Sequence, residues 1–422
     1  MAAAFFKRQP PKELPMLERY QVNVVSTIRS YRAHQFAVAA LVVTFGLAVC
    51  AVARAQTPGG NGTTGFGLNV KNFGALGDCR HDDTEALQSA INQINGRTLF
   101  FPAGCYLISQ PIRVPFATGF RIIGEGHVGT KIQQQTDNTP IIVFTKELTH
   151  SWEISDLEFG WSKNQAKEDT NSVGILFSTD TATAGGLFDF TISHVTFDNG
   201  FRGIYLAPAN HGAFPVWGFV LEDIIAGKLM SGSTINLAPN PGVGMPRCVL
   251  RDIYSTQSIS EPQIKLYHCT SGTLDNIEDN NGLDTSIDLQ SDDAMSVRSV
   301  HIEWHHMTQA NHAVITAENS KIDFDGITAN LIAEVPGKYY LVSNLAGGGS
   351  LSLKNIRLGG ASPETSPAGI HNSAGAQTYL LHLNGTMKLF SVQGVDMTHA
   401  EINSADDAPT SQKVASLGRP EQ

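Results

Sequence analysis

The feature of this sequence that most constrains its fold is a four-residue pattern that recurs from residue 154 onward. An apolar residue, any residue, one of Asp, Asn, Ser, His or Gly, and a second apolar residue follow one another in nine places, such as ISDL, LRDI and LKNI. The fourth residues of the nine copies, spaced by 23 to 39 residues, are Leu157, Val195, Ile224, Ile253, Ile277, Val300, Ile327, Ile356 and Val395. Such a repeat is typical of solenoids, in which each repeat stacks on the next.

A second family of short strand patterns alternates with this repeat. Its members include GILF, GIYL, TINL, QIKL, SIDL and AVIT, so that two strands recur in each unit. No run after residue 95 has helical periodicity, which argues against helical repeats. Propeller blades need about 40 residues with four strands each, and several repeats here are too short for that. The sequence therefore predicts an all-β solenoid with strands stacked in parallel.

The N-terminus has the pattern of a secretory signal peptide. Basic residues precede an apolar run over residues 36–53, which ends in the small residues of AVARA and is followed by QTPGGNGTTG. We predict a signal peptide at 1–55, a flexible linker at 56–67, the solenoid domain at 68–400 and a polar, disordered tail at 401–422. The alternative is a retained membrane anchor, because the run is close to the minimum length for spanning a bilayer. The predicted location is secreted, periplasmic or at the cell surface.

Charge and cysteine content limit the partners and the compartment. Residues 1–55 carry seven basic and two acidic residues, so their removal changes the formal net charge from −10 to −15. This argues against a nucleic-acid partner, which needs a basic face. An anionic substrate then needs a local basic groove or a bridging cation, and Ca²⁺ stays open as a cofactor. The four cysteines after residue 55, an even number that favours disulfides outside the cytosol, are Cys79, Cys105, Cys248 and Cys269.

The stretch CRHDDTEALQSAINQI places a cysteine, a histidine and two adjacent aspartates before a helical pattern. Asp82 and Glu85 have the spacing of a capping box, and negative charge is favourable at a helix start. We predict a helix over residues 83–95 that covers the open end of the solenoid, since exposed strand edges promote aggregation. The alternative is a metal or catalytic site. One face of the predicted helix is apolar: Ala86, Leu87, Ala90, Ile91 and Ile94.

Three motifs within residues 70–132 carry a resemblance to a known family. VKNFGALGDCRHDDTEALQSAIN, LFFPAGCYLISQPI and FRIIGEGHVGTKI resemble the N-terminal signature of the pectate-lyase-like superfamily, in the branch of rhamnogalacturonases, epimerase-like proteins and many tail-spike proteins. The resemblance implies a right-handed parallel β-helix and activity on an acidic polysaccharide. Cys79 and Cys105 stand where the family commonly has Gly or Thr, which suggests a disulfide that fixes the cap.

The reaction has to be inferred from a site rather than from the fold. The Asn-Thr-Asp, Gly-His-Gly and Arg-Ile-Lys signatures of polygalacturonases are absent, as is the Arg-x-Pro-x-x-Arg of calcium-dependent pectate lyases. Residues that flank inward-facing anchors point to solvent, and equivalent residues on neighbouring rungs lie about 4.8 Å apart. This alternation predicts a polar surface that we call the central patch, with Tyr254, Glu278, Asn280, His301, Glu303, Thr328, Asn330 and Arg357, and with Asp292, Asp293, Arg298, His305 and His306 close in sequence.

The central patch fits two schemes for cleaving a sugar polymer. Glu303 and Glu278, predicted to lie one rung apart, would form the carboxylate pair of a retaining hydrolase. Alternatively, His301 would remove the C5 proton of a uronic acid while Arg298 or Arg357 holds its carboxylate. The remaining interpretation is a solvated outer face without chemistry.

Three other residues of the central patch also have expected roles. Asp292 and Asp293 are additional catalytic candidates, and Tyr254 is expected to contact substrate. The three histidines of HIEWHH also suggest zinc, but they lack the helical i, i+4 spacing that would support a metal site. We therefore predict no metal site.

The second strand family offers a rival face. Asn236, Lys265 and Asp288 fall in one column, and Tyr267 and Gln290 fall in the next. Lys265 would be a base or an anion contact, and Tyr267 would be an aromatic platform for a sugar. This face ranks second because it has one carboxylate.

Together these features predict an exported protein that cleaves an acidic, uronate-containing polysaccharide as a lyase or hydrolase. The alternatives are a non-catalytic β-helix that binds glycans in adhesion, and a C5 epimerase. Contact with a membrane is expected only through residues 1–55, if they are retained.

Overall fold

One α-helix and 28 β-strands form the part of the chain that the structure describes. The structure, a computed structural model, describes residues 67–145, 148–178, 186–207, 215–227, 230–239, 243–256, 260–345, 348–360, 375–383, 388–398 and 400–403. The predicted signal peptide, nearly all of the linker and most of the predicted tail lie outside these residues. A short 3-10 helix spans Val70–Phe73, and α1 spans Thr84–Ile91.

The described strands have the following bounds. In chain order they are β1 Leu68–Asn69, β2 Asp78–Asp82, β3 Thr98–Phe100, β4 Gly104–Ile108, β5 Ile112–Val114, β6 Arg121–Ile123, β7 Thr130–Gln134, β8 Ile142–Thr145, β9 Leu148–Trp161, β10 Val173–Ser178, β11 Gly186–Asp198, β12 Arg202–Leu206, β13 Val216–Ala226, β14 Ile235–Leu237, β15 Met245–Pro246, β16 Cys248–Thr256, β17 Ile264–Tyr267, β18 Cys269–Thr270, β19 Thr273–Asn280, β20 Ile287–Gln290, β21 Met295–Met307, β22 Ala313–Glu318, β23 Lys321–Ala333, β24 Gly337–Asn344, β25 Ser350–Gly360, β26 Ala376–Leu383, β27 Lys388–Thr398 and β28 Ala400–Asn403.

These strands stack in parallel in two large sheets. The long-strand sheet runs β1-β3-β6-β9-β11-β13-β16-β19-β21-β23-β25-β27, with β2, β4 and β7 beside this path. The short-strand sheet runs β5-β8-β10-β12-β14-β17-β20-β22-β24-β26-β28. Each strand therefore pairs with its counterpart one turn later, and a short β15–β18 pair lies between the sheets in sequence. The predicted parallel β-helix is confirmed.

The repeated four-residue pattern marks a corner in each long strand. Its third residue has a positive φ in all nine copies: 49° to 59° at Asp156, His194, Asp223, Asp252, Asn276, Ser299 and Asn355, 75° at Gly326 and 60° at Gly394. Asp, Asn and Gly tolerate this left-handed conformation better than other residues, which explains the residue types found there. The corner lets the apolar residues on both sides of it point into the solenoid.

The fourth residues of the pattern stack in register along the solenoid. Leu157 pairs with Val195, Val195 with Ile224, and the pairing continues to Ile356 and Val395. All of them from Leu157 to Ile356 are buried. Stacked aromatic rings fill the interior of the earlier rungs: Phe120, Trp152, Phe190 and Phe219, with successive centroids 5.9, 4.3 and 5.4 Å apart.

Helix α1 covers the N-terminal end, but its start differs from the prediction. It is shorter than residues 83–95, and Leu87, Ala90 and Ile91 are its buried residues. The predicted capping box is wrong: the Asp82 carboxylate accepts from the Thr84 N–H and from two hydroxyl groups outside the helix cap geometry. The N-cap residue is Asp83, whose side chain makes no cap hydrogen bond. Asp82 and Asp83 therefore connect the start of the helix to neighbouring strands and loops through hydrogen bonds of their side chains.

The two aspartates are expected to differ in their contribution to stability. Asp83 is buried, and its carboxylate accepts from the Leu76 N–H at 2.6 Å and the Gly77 N–H at 2.9 Å. Asp83→Ala removes a buried carboxylate that accepts from two backbone N–H groups, and because hydrogen bonds to a charged group are stronger than neutral ones, it should lower the free energy of unfolding by about 2–3 kcal/mol. Asp82→Ala, at an exposed position, should cost about 1 kcal/mol. Urea unfolding of both variants measures the difference, and equal costs would contradict it.

Two disulfides join neighbouring segments. Cys79 of β2 bonds to Cys105 of β4, as the resemblance suggested, and the Cα atoms are 4.8 Å apart. Cys248 bonds to Cys269, a pairing that the sequence left open. Among the described residues, no helix is both long and apolar enough to cross a membrane.

Candidate functional site

The central patch forms in the register that strand alternation predicted. Tyr254, Glu278, His301, Thr328 and Arg357 pair successively across five strands of the long-strand sheet. The column three positions after the anchors holds only in part, because a bulge lies between Ile302 and His305. Glu303 pairs with Asn280 but is displaced from Asn330.

Few contacts organise the side chains of the central patch. The Asn280 amide donates to Glu278 Oε1 at 2.9 Å and to the Tyr254 hydroxyl at 3.3 Å. His301 and Glu303 make no side-chain hydrogen bond or ion pair with other described residues. One rung and two residues separate Glu278 from Glu303, about 8 Å between Cα atoms. The structure thus places Glu278, His301 and Glu303 on neighbouring strands, but no described side-chain contact connects His301 or Glu303 to the other residues of the patch.

Arg298 belongs to a column of alternating charges at the corners. Its Nη2 lies 3.1 Å from Asp275 Oδ2, and Arg251 Nη2 lies 2.6 Å from Glu222 Oε2. The column is formed by the second residue of the repeated four-residue pattern on six successive rungs. These residues are Glu222, Arg251, Asp275, Arg298, Asp325 and Lys354. This arrangement gives Arg298 a partner within the protein.

The remaining acidic and basic candidates of the central patch are also engaged or displaced. Asp293 lies 3.1 Å from Lys321, with both side chains exposed, and Arg357 lies 3.7 Å from Asp396. Asp292 is only 1% exposed, because the left-handed Ser291 before it turns it into the interior. Its carboxyl group is shielded from the outer face, and its catalytic role stays a prediction.

The pKa of Asp292 is raised to about 8, mainly because burial disfavours the charged form. Its Oδ1 accepts from the Cys269 N–H, while Oδ2 has no hydrogen-bond partner. The folded protein therefore keeps a proton that the unfolded chain loses near pH 4. We expect stability from this group to be complete below about pH 4 and to fall as the pH rises toward 8. Thermal unfolding across this range should show a flatter profile for Asp292→Asn, and an unchanged profile would contradict the assignment.

The three histidines of HIEWHH do not converge. His305 is fully buried, whereas His301 and His306 point outward, and His306 Nδ1 lies 2.6 Å from the Glu334 carboxylate. Inside the solenoid, His305 Nδ1 lies 3.3 Å from Asp279 Oδ2, and its Nε2 lies 2.8 Å from the Asp284 carbonyl oxygen. No group of three His, Cys, Asp or Glu in the described residues is arranged to hold a metal ion.

The rival face carries a more connected cluster on the outer side of the short-strand sheet. The Tyr267 hydroxyl donates to Asp288 Oδ2 at 2.7 Å, and the Thr316 hydroxyl donates to Asp288 Oδ1 at 2.6 Å. Lys265 Nζ lies 3.8 Å from Asp288 Oδ2 and 5.0 Å from the centre of the Tyr267 ring. We call Lys265, Tyr267, Asp288 and Thr316 the lysine–tyrosine cluster. Its members come from three successive strands, β17, β20 and β22.

Partial burial changes the properties of this cluster. The pKa of Tyr267 is raised by burial, by its hydrogen bond to Asp288 and by the charges of Asp288 and Asp292. Its phenol therefore stays protonated and acts as a donor. The Lys265 side chain is 30% exposed and that of Asp288 is 13% exposed. A ligand on this face can contact the ammonium while the carboxylate stays largely shielded from water.

A partly buried ion pair borders the lysine–tyrosine cluster. Arg202 binds Glu261 through two nitrogens, with Nε 2.7 Å from Oε2, and the Ser233 hydroxyl also donates to Glu261. Burial raises the pKa of Glu261, but the hydrogen bonds from Arg202, Ser233 and Asn236 outweigh it and the net shift is downward. Asn236 pairs with Lys265 in register, so this ion pair supports the edge of the cluster.

Sequence reasoning identified Lys265 and Tyr267 but underrated Asp288. The column of Lys265 and Asp288 was visible in the strand pattern, and it is confirmed by the register of β17 and β20. The diagonal bond from Tyr267 to Asp288 depends on side-chain conformations that alternation does not provide. The sequence does contain a signal for this cluster: Lys265 and Tyr267 are two residues apart, and Asp288 occupies the position of Lys265 one repeat later.

Comparisons with known proteins agree with this architecture. Residues 67–211 match the family described as Rhamnogalacturonase A/epimerase, pectate lyase-like, which confirms the resemblance read from the N-terminal motifs. The tailspike gp42 of Acinetobacter phage vb_AbaP_AS12 has the same fold, with a TM-score of 0.54, 12% identity, and coverage of 81% of this chain and 62% of the tailspike.

Two relatives match over shorter stretches. The plasmin and fibronectin-binding protein A of Streptococcus pneumoniae (strain ATCC BAA-255 / R6) is 25% identical over 156 residues, which are 32% of this chain and 21% of the relative. The pre-neck appendage protein of Bacillus phage B103 is 40% identical over 53 residues, 13% of this chain and 6% of the relative. The matched part is thus a small fraction of either relative.

Proposed function

We propose that this protein, a parallel β-helix with the N-terminal signature of the pectate-lyase-like superfamily, is a lyase that cleaves a uronate-containing polysaccharide at the lysine–tyrosine cluster. The observation that carries the proposal is that Asp288 accepts from the Tyr267 hydroxyl at 2.7 Å with the Lys265 ammonium 3.8 Å away. These are the three groups that elimination from a uronate requires: a cation, a base and an acid. The match of residues 67–211 to a pectate lyase-like family supports a polysaccharide as the substrate class.

Each group has a defined part in the reaction. Lys265 pairs with the uronate carboxylate and makes the neighbouring C5 proton more acidic. Asp288 takes that proton, the C4–O4 bond breaks, and a double bond forms between C4 and C5. Tyr267 gives its proton to the leaving O4 and regains one from Asp288 through their existing hydrogen bond. The proton thus moves from C5 to O4 and the cluster returns to its starting state.

Hydrolysis has less support on this face. A hydrolase needs two carboxyl groups that both reach the sugar bond, one protonated and one ionised. Glu261 is bound by Arg202, and Asp292 is turned into the interior. Asp288 is therefore the carboxyl group that we assign to the chemistry.

Action outside the cytosol is part of the proposal. The two disulfides are typical of proteins in oxidising compartments. The predicted signal peptide would export the chain to the polysaccharide.

A panel of polymers tests the proposed reaction. The full chain is incubated separately with polygalacturonate, rhamnogalacturonan and alginate, and ultraviolet absorbance of unsaturated uronates is followed together with reducing ends and polymer composition. We expect absorbance and reducing ends to rise in parallel for at least one polymer. Reducing ends without absorbance would indicate hydrolysis, and a change in composition without cleavage would indicate epimerisation. Either result, or no change with any polymer, would overturn the lyase assignment.

A further inference from the structure

An exposed aromatic pair lies on the long-strand sheet, away from the lysine–tyrosine cluster in the strand order. Phe188 of β11 and Trp217 of β13 are in register on neighbouring rungs, with ring centroids 4.9 Å apart at 63°. Trp217 is 45% exposed, whereas Trp152 and Trp161 are buried in the core. An indole held at the surface by a second ring offers a rigid apolar platform at low entropic cost.

A charged pair lies directly beside this platform. Arg247 Nη2 lies 3.0 Å from Asp189 Oδ1, and both side chains are more than half exposed. Asp189, Gly218 and Arg247 occupy equivalent positions on three successive rungs, each just before the paired residues Phe190, Phe219 and Cys248. Arg247 therefore reaches across the middle rung to meet Asp189.

The middle position has to be glycine for this reach. A Cβ atom on Gly218 would lie 2.5 Å from Asp189 Oδ1 and 2.8 Å from Arg247 Nη2, closer than real contacts allow. The residue also has a φ of 69°, which disfavours other side chains. The backbone thus keeps a flat surface with an indole on one side and an ion pair on the other.

We propose that Phe188, Trp217, Asp189 and Arg247 form a sugar-binding subsite for a uronate polymer. The choice of ligand rests on the proposed function. The apolar face of a sugar ring stacks on the Trp217 indole, Arg247 donates hydrogen bonds to a uronate carboxylate, and Asp189 accepts from ring hydroxyls. A guanidinium suits this task because its planar donors match a carboxylate.

The strand order places the subsite on a different sheet from the lysine–tyrosine cluster and on an earlier rung. Trp217 lies in β13, which follows β12, and the short-strand sheet continues from β12 through β14 to β17. The subsite therefore belongs to a rung two steps before that of Lys265, about 10 Å along the solenoid axis. Because the two sites lie on different sheets, the subsite would hold a part of the polymer that is separate from the reacting segment.

Binding of polygalacturonate by the full chain, measured by retardation in gels that contain the polymer, tests the subsite. Trp217→Ala should weaken binding about tenfold, in line with the loss of one aromatic stacking contact. Arg247→Gln should weaken binding of polygalacturonate while leaving any binding of a neutral glucan unchanged. Phe116→Ala is the matched control, because Phe116 is also an exposed aromatic residue (51%) but lies in the N-terminal part of the solenoid. Melting temperatures confirm that each variant is folded.

The outcomes separate this subsite from the reaction. Unchanged binding of Trp217→Ala overturns the subsite, and equal retention of a neutral glucan and polygalacturonate by the wild type overturns the role of Arg247. Lys265→Met should abolish turnover but leave most of the Trp217-dependent retardation. Retardation that depends on Trp217 without cleavage of any polymer would overturn the proposed function and support the subsite.

Discussion

Asp288→Asn is expected to lower turnover of a uronate polymer by about 10²- to 10⁴-fold, the usual contribution of a positioned acid or base. The amide keeps the size of the side chain, but its single oxygen can accept from only one of the Tyr267 and Thr316 hydroxyls, which donate to the two carboxylate oxygens at 2.7 and 2.6 Å; the NH₂ group then donates to the oxygen of the other hydroxyl. It cannot take a proton from C5 or return one to Tyr267. We therefore expect a loss of kcat with little change in melting temperature.

Two further variants assign the partner roles. Tyr267→Phe keeps the ring and removes the proton donor, so kcat should fall while KM changes little. Lys265→Met removes the cation, which should raise KM as well as lower kcat, because the ammonium contacts the substrate carboxylate in both the bound and the reacting state.

Matched controls separate this face from the central patch. Asp323→Asn, an exposed position on β23, changes the same charge and should leave turnover unchanged. Glu303→Gln tests the carboxylate that the sequence ranked first. If Glu303→Gln abolishes turnover while Asp288→Asn retains it, the reaction takes place on the long-strand sheet and our assignment is wrong.

Asp279→Ala is expected to lower the free energy of unfolding by about 3 kcal/mol, the cost of removing one partner of a buried contact between a carboxyl group and a histidine. Asp279 is 1% exposed, and its Oδ2 lies 3.3 Å from His305 Nδ1, which is itself buried. His305 Nε2 faces the Asp284 carbonyl oxygen at 2.8 Å and must carry a hydrogen there. Asp279→Ala removes the carboxyl group that lies 3.3 Å from this buried nitrogen and leaves a cavity beside the imidazole. Urea unfolding followed by circular dichroism measures the loss.

A double variant checks the physical cause. If the cost arises from an unpaired buried group, replacing Asp279 and His305 together by apolar residues should destabilise less than Asp279→Ala alone. His306→Ala is the matched control, because the neighbouring His306–Glu334 pair is partly exposed and should contribute less than about 1 kcal/mol. A double variant that loses more than the single variant would contradict this account.

The stacking of the solenoid was predictable because inward positions demand apolar side chains at a fixed place in each repeat. Ile253, Ile277 and Val300 were identified as anchors from spacing alone, and they pair in register. The corner conformation at the third position of the pattern was implicit in its Asp, Asn and Gly residues. The pattern thus specifies both the rung and its bend.

The site was harder to predict because left-handed residues within or beside a strand change which of the following side chains face the interior and which face solvent. Ser291, with a φ of 55°, turns Asp292 inward, although simple alternation and its charge suggested a turn at the surface. Trp304, with a φ of 53°, lies in the bulge that displaces Glu303 from Asn330. Left-handed conformations at Ser and Trp have no reliable sequence signal. The buried pairing of Asp279 with His305 is equally invisible, because it depends on the register shift at Trp304 that precedes the buried His305.

The column of alternating charges at the corners bears on how the rungs find their order during folding. A chain of similar rungs offers many nearly equivalent strand partners, and skipping one rung would still pair apolar anchors with apolar anchors. In the native order, Arg251 lies between Glu222 and Asp275, and Arg298 lies between Asp275 and Asp325. A strand that skipped one rung would meet a like charge at this position, which is unfavourable between adjacent strands. Successive rungs therefore carry charges of opposite sign at this position. Electrostatic repulsion disfavours a strand that has skipped one rung, even though its apolar side chains would still pack in the hydrophobic core.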